Sequence, residues 1–175
     1  MRRLLNALWR EWPLHFVMLA VNWLPDSRPC LQLRGALMRP FLRSAGRNLQ
    51  IGRNVTVLNA GQLSVGNDVY IAQGTWIAAE EPISLGDEVL IGPYCVLVSA
   101  EHTRSDGSYR FGKHRPGPLE IGRGVWLAAH VVVTAGRTIG PGTLVAGGAV
   151  VTGDLPANAI AGGIPARVLK EVADE

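Results

Sequence analysis

From Ile51 onward the chain repeats itself every six residues. Each unit opens with an aliphatic residue, and Gly often follows it, as in Ile51-Gly52, Val65-Gly66, Leu85-Gly86, Ile91-Gly92, Ile121-Gly122 and Ile139-Gly140. Units open at 51, 57, 65, 71, 77, 85, 91 and 97, then at 121, 127, 133, 139, 145 and 151. Three units make an eighteen-residue group: 65–82, 85–102, 121–138 and 139–156. Two-residue insertions at Leu63-Ser64 and Ile83-Ser84, and an eighteen-residue insertion, Thr103–Glu120, interrupt the series without ending it. Self-similarity at a short fixed step is the mark of a solenoid. An ordinary β-sandwich does not keep such a phase for a hundred residues.

A six-residue unit is a short strand and a tight turn. Three units close one triangular coil, with the aliphatic first residue of each pointing into the prism. Small residues at the fifth position of a unit, such as Thr75, Cys95, Thr143 and Ala149, let the chain turn without crowding. Stacked coils pair their strands in parallel. No coil buries its core alone, so stability belongs to the stack. Each aliphatic side chain removed from water contributes about 1.5–3 kcal/mol.

The text before Ile51 is different. Residues 2–10 and 13–24 read as short helices, the second with Pro13 in its first turn. Residues 30–45 read as a helix ended by Gly46, with Leu33, Leu37 and Phe41 along one side and Arg34, Arg39 and Arg43 as a basic flank. After Pro156, Val168, Leu169 and Val172 are expected to pack in a short terminal helix. The expected organisation is an N-terminal helical segment 1–46, a repeat body 47–156 with an excursion 103–120, and a cap 157–175.

Composition narrows the class. One domain accounts for 175 residues, and 47% apolar against 18% charged residues excludes a disordered chain. Cys30 and Cys95 are the only cysteines, too few for a disulfide framework or a zinc ribbon, which fits a reducing compartment. Residues 1–53 carry a charge of +7 and residues 54–175 a charge of −4. No stretch reaches the ~20 apolar residues of a membrane span, and no signal-peptide pattern opens the chain. The Trp-rich, Arg-rich first third can lie in a lipid interface, or it can pack on the base of the prism or on a neighbouring copy. Its positive charge comes with no nucleic-acid reading motif, so no nucleic-acid partner is expected.

Among four histidines, His102 stands out. It is the last residue of the last unit before the long insertion, so it falls at a corner of the prism, outside the core, where residues 103–120 can roof it. Imidazole is the side chain suited to proton abstraction near neutral pH. The insertion carries Arg104, Arg110, Lys113, His114 and Arg115 against Asp106 and Glu120, which points to an anionic ligand or simply to a solvated lid.

Residues 121–170, with the opening IGR and the closing AGGIPARV, resemble the C-terminal half of the hexapeptide-repeat acyltransferases. The branch they are most like holds the maltose, galactoside, nodulation-factor and colanic-acid-type O-acetyltransferases. The resemblance covers about residues 47–172. It implies an all-β left-handed parallel β-helix with flanking helices, assembled as a cytoplasmic homotrimer. It implies acetyl-CoA as acyl donor, a sugar or glycan acceptor, and no metal. A lipid-linked acceptor would put the enzyme at the inner membrane. It makes His102 the general base that deprotonates the acceptor hydroxyl, whose oxygen attacks the thioester directly. It sets Trp126, Ala129, Gly147, Thr152 and Gly153 along the pantetheine arm, Arg167 and Lys170 at the adenosine phosphates, and Glu80 at the acceptor, where it could bind sugar hydroxyls, orient the histidine or stand as a solvated turn acid. Backbone amides near Trp126 to Ala129 are expected to face the oxyanion. In one respect the chain departs from the pattern: Ala72 stands where members acting on small sugars have Asn. Two other readings stand beside this one, a non-catalytic β-helix scaffold or binding module, and a γ-type carbonic anhydrase needing three metal-binding histidines, for which His102, His114 and His130 are candidates.

Overall fold

A computed structural model describes residues 7–172. The repeat body is a three-sided stack of about six turns. Its first face is built from Ser44–Ala45, Leu63–Val65, Ile83–Leu85, Leu119–Ile121 and Thr138–Ile139. Its second face is built from Gln50–Ile51, Tyr70–Ile71, Leu90–Ile91, Trp126–Leu127, Leu144–Val145 and Ala159–Gly162. Its third face is built from Thr56–Leu58, Trp76–Ala78, Val96–Val98, Val132–Val133 and Val150–Val151. Pairing between successive coils is parallel and in register, as in Ile51 to Ile71 to Ile91 to Leu127 to Val145. All fourteen unit-opening aliphatic residues are buried, so the periodicity and the core are the same set of residues.

The fifth-position residues also point inward. Thr75, Cys95 and Thr143 are buried, and each satisfies its polar atom on a carbonyl of the next coil: Gly92, Ala128 and Pro156 respectively. The corner between the second and third faces needs a left-handed residue in each coil. It is supplied by Asn54, Gly74, Tyr94, His130 and Gly148. Tyr94 and His130 hold φ of 58° and 61°, and their rings stack at 5.4 Å.

Four expectations for the flanks need correction. The helix read over 13–24 is α1, Trp12–Val21, preceded by a π-helical turn Ala7–Glu11. Residues 2–6 of the first expected helix lie outside the described residues. The helix read over 30–45 is α2, Arg28–Met38, followed by a short 3₁₀ turn Arg39–Phe41. Arg34 does not join a basic flank. Its guanidinium is fully buried, paired with Asp26 at 2.8 Å, and it donates to the carbonyls of Val21, Leu24, Pro25 and Ile51. It plugs the base of the prism by tying α1, the connecting loop and the first coil together. Leu14 and Met18 of α1 and Met38 of α2 join the same core.

The expected C-terminal helix is instead a strand. Arg167–Glu171 pairs antiparallel with Ala159–Gly162 at the end of the second face. The last coil leaves an open strand edge whose N–H and C=O groups need partners, and an added strand meets that need where a helix could not. Val168 and Leu169 are accordingly exposed rather than packed.

Candidate active site

The excursion is a β-hairpin. Ala100–His102 pairs antiparallel with His114–Pro116, so His102 faces His114 in register. Thr103 closes the ladder through two bonds to the Lys113 carbonyl, and Ser105 and Ser108 bridge across the tip. The hairpin leaves from the corner between the third and first faces. His102 sits at its root, exposed to solvent.

Three side chains meet there. The His114 and His102 rings lie edge to face, with centroids 4.4 Å apart and planes at 74°. His114 Nδ1 lies 2.6 Å from Oε2 of Glu80, which occupies the same corner one coil earlier. A carboxylate only accepts, so Nδ1 of His114 carries the proton. Glu101 pairs with Arg115 on the opposite side of the hairpin. Beside this group opens a polar cleft of about 740 Å³, lined by Glu80, His114, Asn59, Gln62, Arg10 and Glu11. Glu80 lines the cleft, and its direct partner is His114 rather than His102. The signal for His114 was present in sequence as a basic residue of the excursion. Only the hairpin register shows that it returns to the root.

The remaining candidate residues lie elsewhere on the chain. Trp126 points outward from the second face, between Leu90 and Leu144. Ala129 and Gly147 lie at the corner between the second and third faces, where the Gly148 N–H donates to the Ala129 carbonyl at 2.9 Å. Arg167 and Lys170 extend, exposed, from the strand that ends the second face. Thr152 and Gly153 lie at the corner that carries His102, two coils further on. The chain therefore divides these residues between two corners separated by the third face, on the order of 15 Å at ~3.3 Å per extended residue. The amides of Trp126 and Ala128, expected to face an oxyanion, are committed to the carbonyls of Thr143 and Val145. Ala72 is buried in the wall by the second-to-third corner, away from His102.

Burial pushes the Cys95 thiol above its ordinary pKa, against the pull of the Val131 and His130 amides. Burial, with the charge of Asp26, does the same for the Tyr70 phenol. Neither group reaches the hairpin. Among the described residues no three His, Cys, Asp or Glu side chains gather in a metal-binding group, and His130 stands at a different corner from His102 and His114.

The parallel coils, the six-residue ladders and a histidine at the root of an excursion define the class: a hexapeptide-repeat parallel β-helix. No family model matches the chain. It is 29% identical to the galactoside O-acetyltransferase of Escherichia coli (strain K12) over 144 residues, 82% of this chain and 71% of that one. It is 29% identical over 138 residues to an Escherichia coli (strain K12) protein described as the colanic acid biosynthesis acetyltransferase WcaF, covering 79% of this chain and 74% of that one. Among solved structures, a Vibrio cholerae hexapeptide-repeat acetyltransferase complexed with acetyl coenzyme A superposes with a TM-score of 0.81 and 26% identity, covering 93% of this chain and 86% of that one. A galactoside acetyltransferase in complex with coenzyme A gives a TM-score of 0.82 and 28% identity, covering 92% and 80%. Over most of its length the chain is thus similar in sequence and in fold to hexapeptide-repeat acetyltransferases.

Proposed function

We propose that the protein moves an acetyl group from acetyl-CoA to a hydroxyl of a carbohydrate, with His102 as the general base. The carrying observation is the root of the hairpin: an exposed imidazole, backed by the Glu80–His114 pair, beside a cleft rich in hydrogen-bonding groups. The named activities of the similar proteins and the coenzyme A complexes support the same reading. In the reaction His102 takes the hydroxyl proton as the oxygen attacks the thioester carbonyl, and the proton passes to the departing thiolate. Asn59 and Gln62, which line the cleft, suit a polyhydroxylated acceptor, because each offers the hydrogen bonds that sugar hydroxyls need. A polysaccharide or lipid-linked glycan precursor fits the open cleft.

The division of residues between two corners calls for a second copy, and the surface offers one. The second face presents Tyr70, Leu90, Trp126, Leu144 and Ile160 outward, and the third presents Trp76, Val96, Val132 and Val150. The first face instead presents Ser64, Ser84, Glu120 and Thr138. Two apolar faces that share a corner suit a closed threefold ring in which the third face of one copy covers the second face of the next. That packing would bring His102 of one protomer toward Trp126, Gly147 and Arg167 of its neighbour. Exposed glycine backbone would let the pantetheine arm lie close, and Arg167 and Lys170 would pair with phosphates.

Lipid contact belongs to the same proposal. Trp12, Phe16, Leu19 and Trp23 follow one another along the outer side of α1 and the turn after it, opposite buried Leu14 and Met18. Exposed Arg10, Arg28, Arg39 and Arg43 supply cations for an anionic inner leaflet. Among the described residues no helix is long and apolar enough to cross a membrane, so such contact would be peripheral. Replacing Trp12 and Phe16 by Ser should abolish co-sedimentation with anionic vesicles, and no difference from wild type would remove the lipid reading.

The enzymatic reading is tested by release of free thiol from acetyl-CoA with oligosaccharide acceptors. Acceptor-dependent release that disappears in His102→Ala supports it. Undiminished turnover in that variant would overturn the assignment of the base.

A further inference from the structure

We propose that His114 is a positioning residue of this reaction, held by Glu80 and holding His102; the inference rests on the reading of His102 as the base. A lone imidazole on an exposed strand end is free to rotate about two side-chain torsions. A base is effective only while its lone pair faces the proton it removes, and a displacement of about 1 Å costs on the order of 100-fold in rate. His102 is exposed. What lies against its ring is the imidazole across the hairpin, at 4.4 Å and 74°.

That neighbour is itself restrained. The 2.6 Å bond from Nδ1 of His114 to Glu80 spans 34 residues of sequence and joins the hairpin to the coil before it. It settles two things at once. The carboxylate fixes which His114 nitrogen is protonated, leaving Nε2 with the lone pair in the neutral ring. It also sets the plane of His114, and hence the face or edge offered to His102. The strand register makes the arrangement specific. His102 and His114 are cross-strand partners, so neither can slide without breaking the ladder that Thr103 and Lys113 close beyond them.

Steady-state kinetics on the full-length protein test this. His114→Ala and Glu80→Leu should each lower kcat by about 10- to 100-fold, with the KM for acetyl-CoA unchanged, because neither is among the residues proposed to hold the acyl donor. Glu80→Gln keeps an acceptor for Nδ1–H and should retain most of the wild-type kcat. The double variant His114→Ala/Glu80→Leu should be no slower than the worse single variant, because both act through one contact. His114→Phe keeps a flat ring against His102 and should be faster than His114→Ala, which also separates ring positioning from a loss of hairpin structure. Wild-type kcat in His114→Ala, or multiplying losses in the double variant, would overturn the proposal. If His102→Ala is inactive while His114→Ala is fully active, this inference fails and the general-base reading stands. If His102→Ala is active, the reading beneath it fails first.

Discussion

Glu80 and His114 join two consecutive levels of the same corner: a carboxylate on one coil holds, at 2.6 Å, an imidazole on the hairpin that grows from the next. The contact ties the returning strand of the hairpin to the coil before it. It places the insertion's returning strand beside the root of its outgoing one, where His102 stands.

Loss of His102 should be the severest single change to activity. His102→Ala should lower kcat by on the order of 10²- to 10⁴-fold, the usual worth of a general base, while leaving the thermal unfolding midpoint in place. The side chain is exposed and carries no core packing, so an accompanying fall in stability would point to a structural role.

If the site is shared between copies, damage can be complemented. His102→Ala removes one side of the site and Arg167→Glu the other. Refolding the two variants together should return part of the activity that neither has alone, since some seams will then join two intact sides. Failure of mixed assemblies to regain turnover would place the whole site within one protomer.

Arg34 and Asp26 form the most deeply buried ion pair described in the chain. Removing only the carboxylate leaves a guanidinium without its counter-charge in the core. Asp26→Ala should therefore lower unfolding free energy by about 3–5 kcal/mol in urea titrations. It also frees the Arg53 backbone N–H that Asp26 accepts. A change under ~1 kcal/mol would mean that the carbonyls around Arg34 satisfy it alone.

Cys95 gives the fold an alkaline limit. Burial raises its pKa above the ordinary 9.0, so the folded state holds the thiol proton more tightly than the unfolded chain does. The contribution is full below pH 9 and is lost as pH rises through the folded value. Urea midpoints should fall as the pH is raised above 9 for the wild type, and less steeply for Cys95→Val. Valine already fills the equivalent position of the next coil, Val131, so that variant is expected to fold.

Two glycines should behave oppositely. A Cβ on Gly140 would lie 2.3 Å from the backbone nitrogen of Ala157 in the next coil, whereas one on Gly153 would meet nothing within 4 Å. Gly140→Ala should destabilise by about 1–3 kcal/mol through overpacking. Gly153→Ala should leave the melting temperature unchanged. If Gly153 lines the donor's path, its variant should instead raise the KM for acetyl-CoA.

The six-residue phase determined the prism by itself. It fixed which fourteen aliphatic residues are buried, which small residues turn the corners, and that His102 stands outside the wall, because in a solenoid each residue's place depends only on its own position in the repeat. Residues outside the repeat have no such rule. Arg34 reads as one more surface arginine until three separate segments close over it. The segment 167–171 reads as a helix until the open edge of the last coil takes it as a strand. The partnership of His114 with Glu80 depends on how an eighteen-residue insertion folds back, and so does the proximity of His114 to His102. Those contacts are decided by tertiary structure, since the energy of a contact between distant segments is present only when both have arrived.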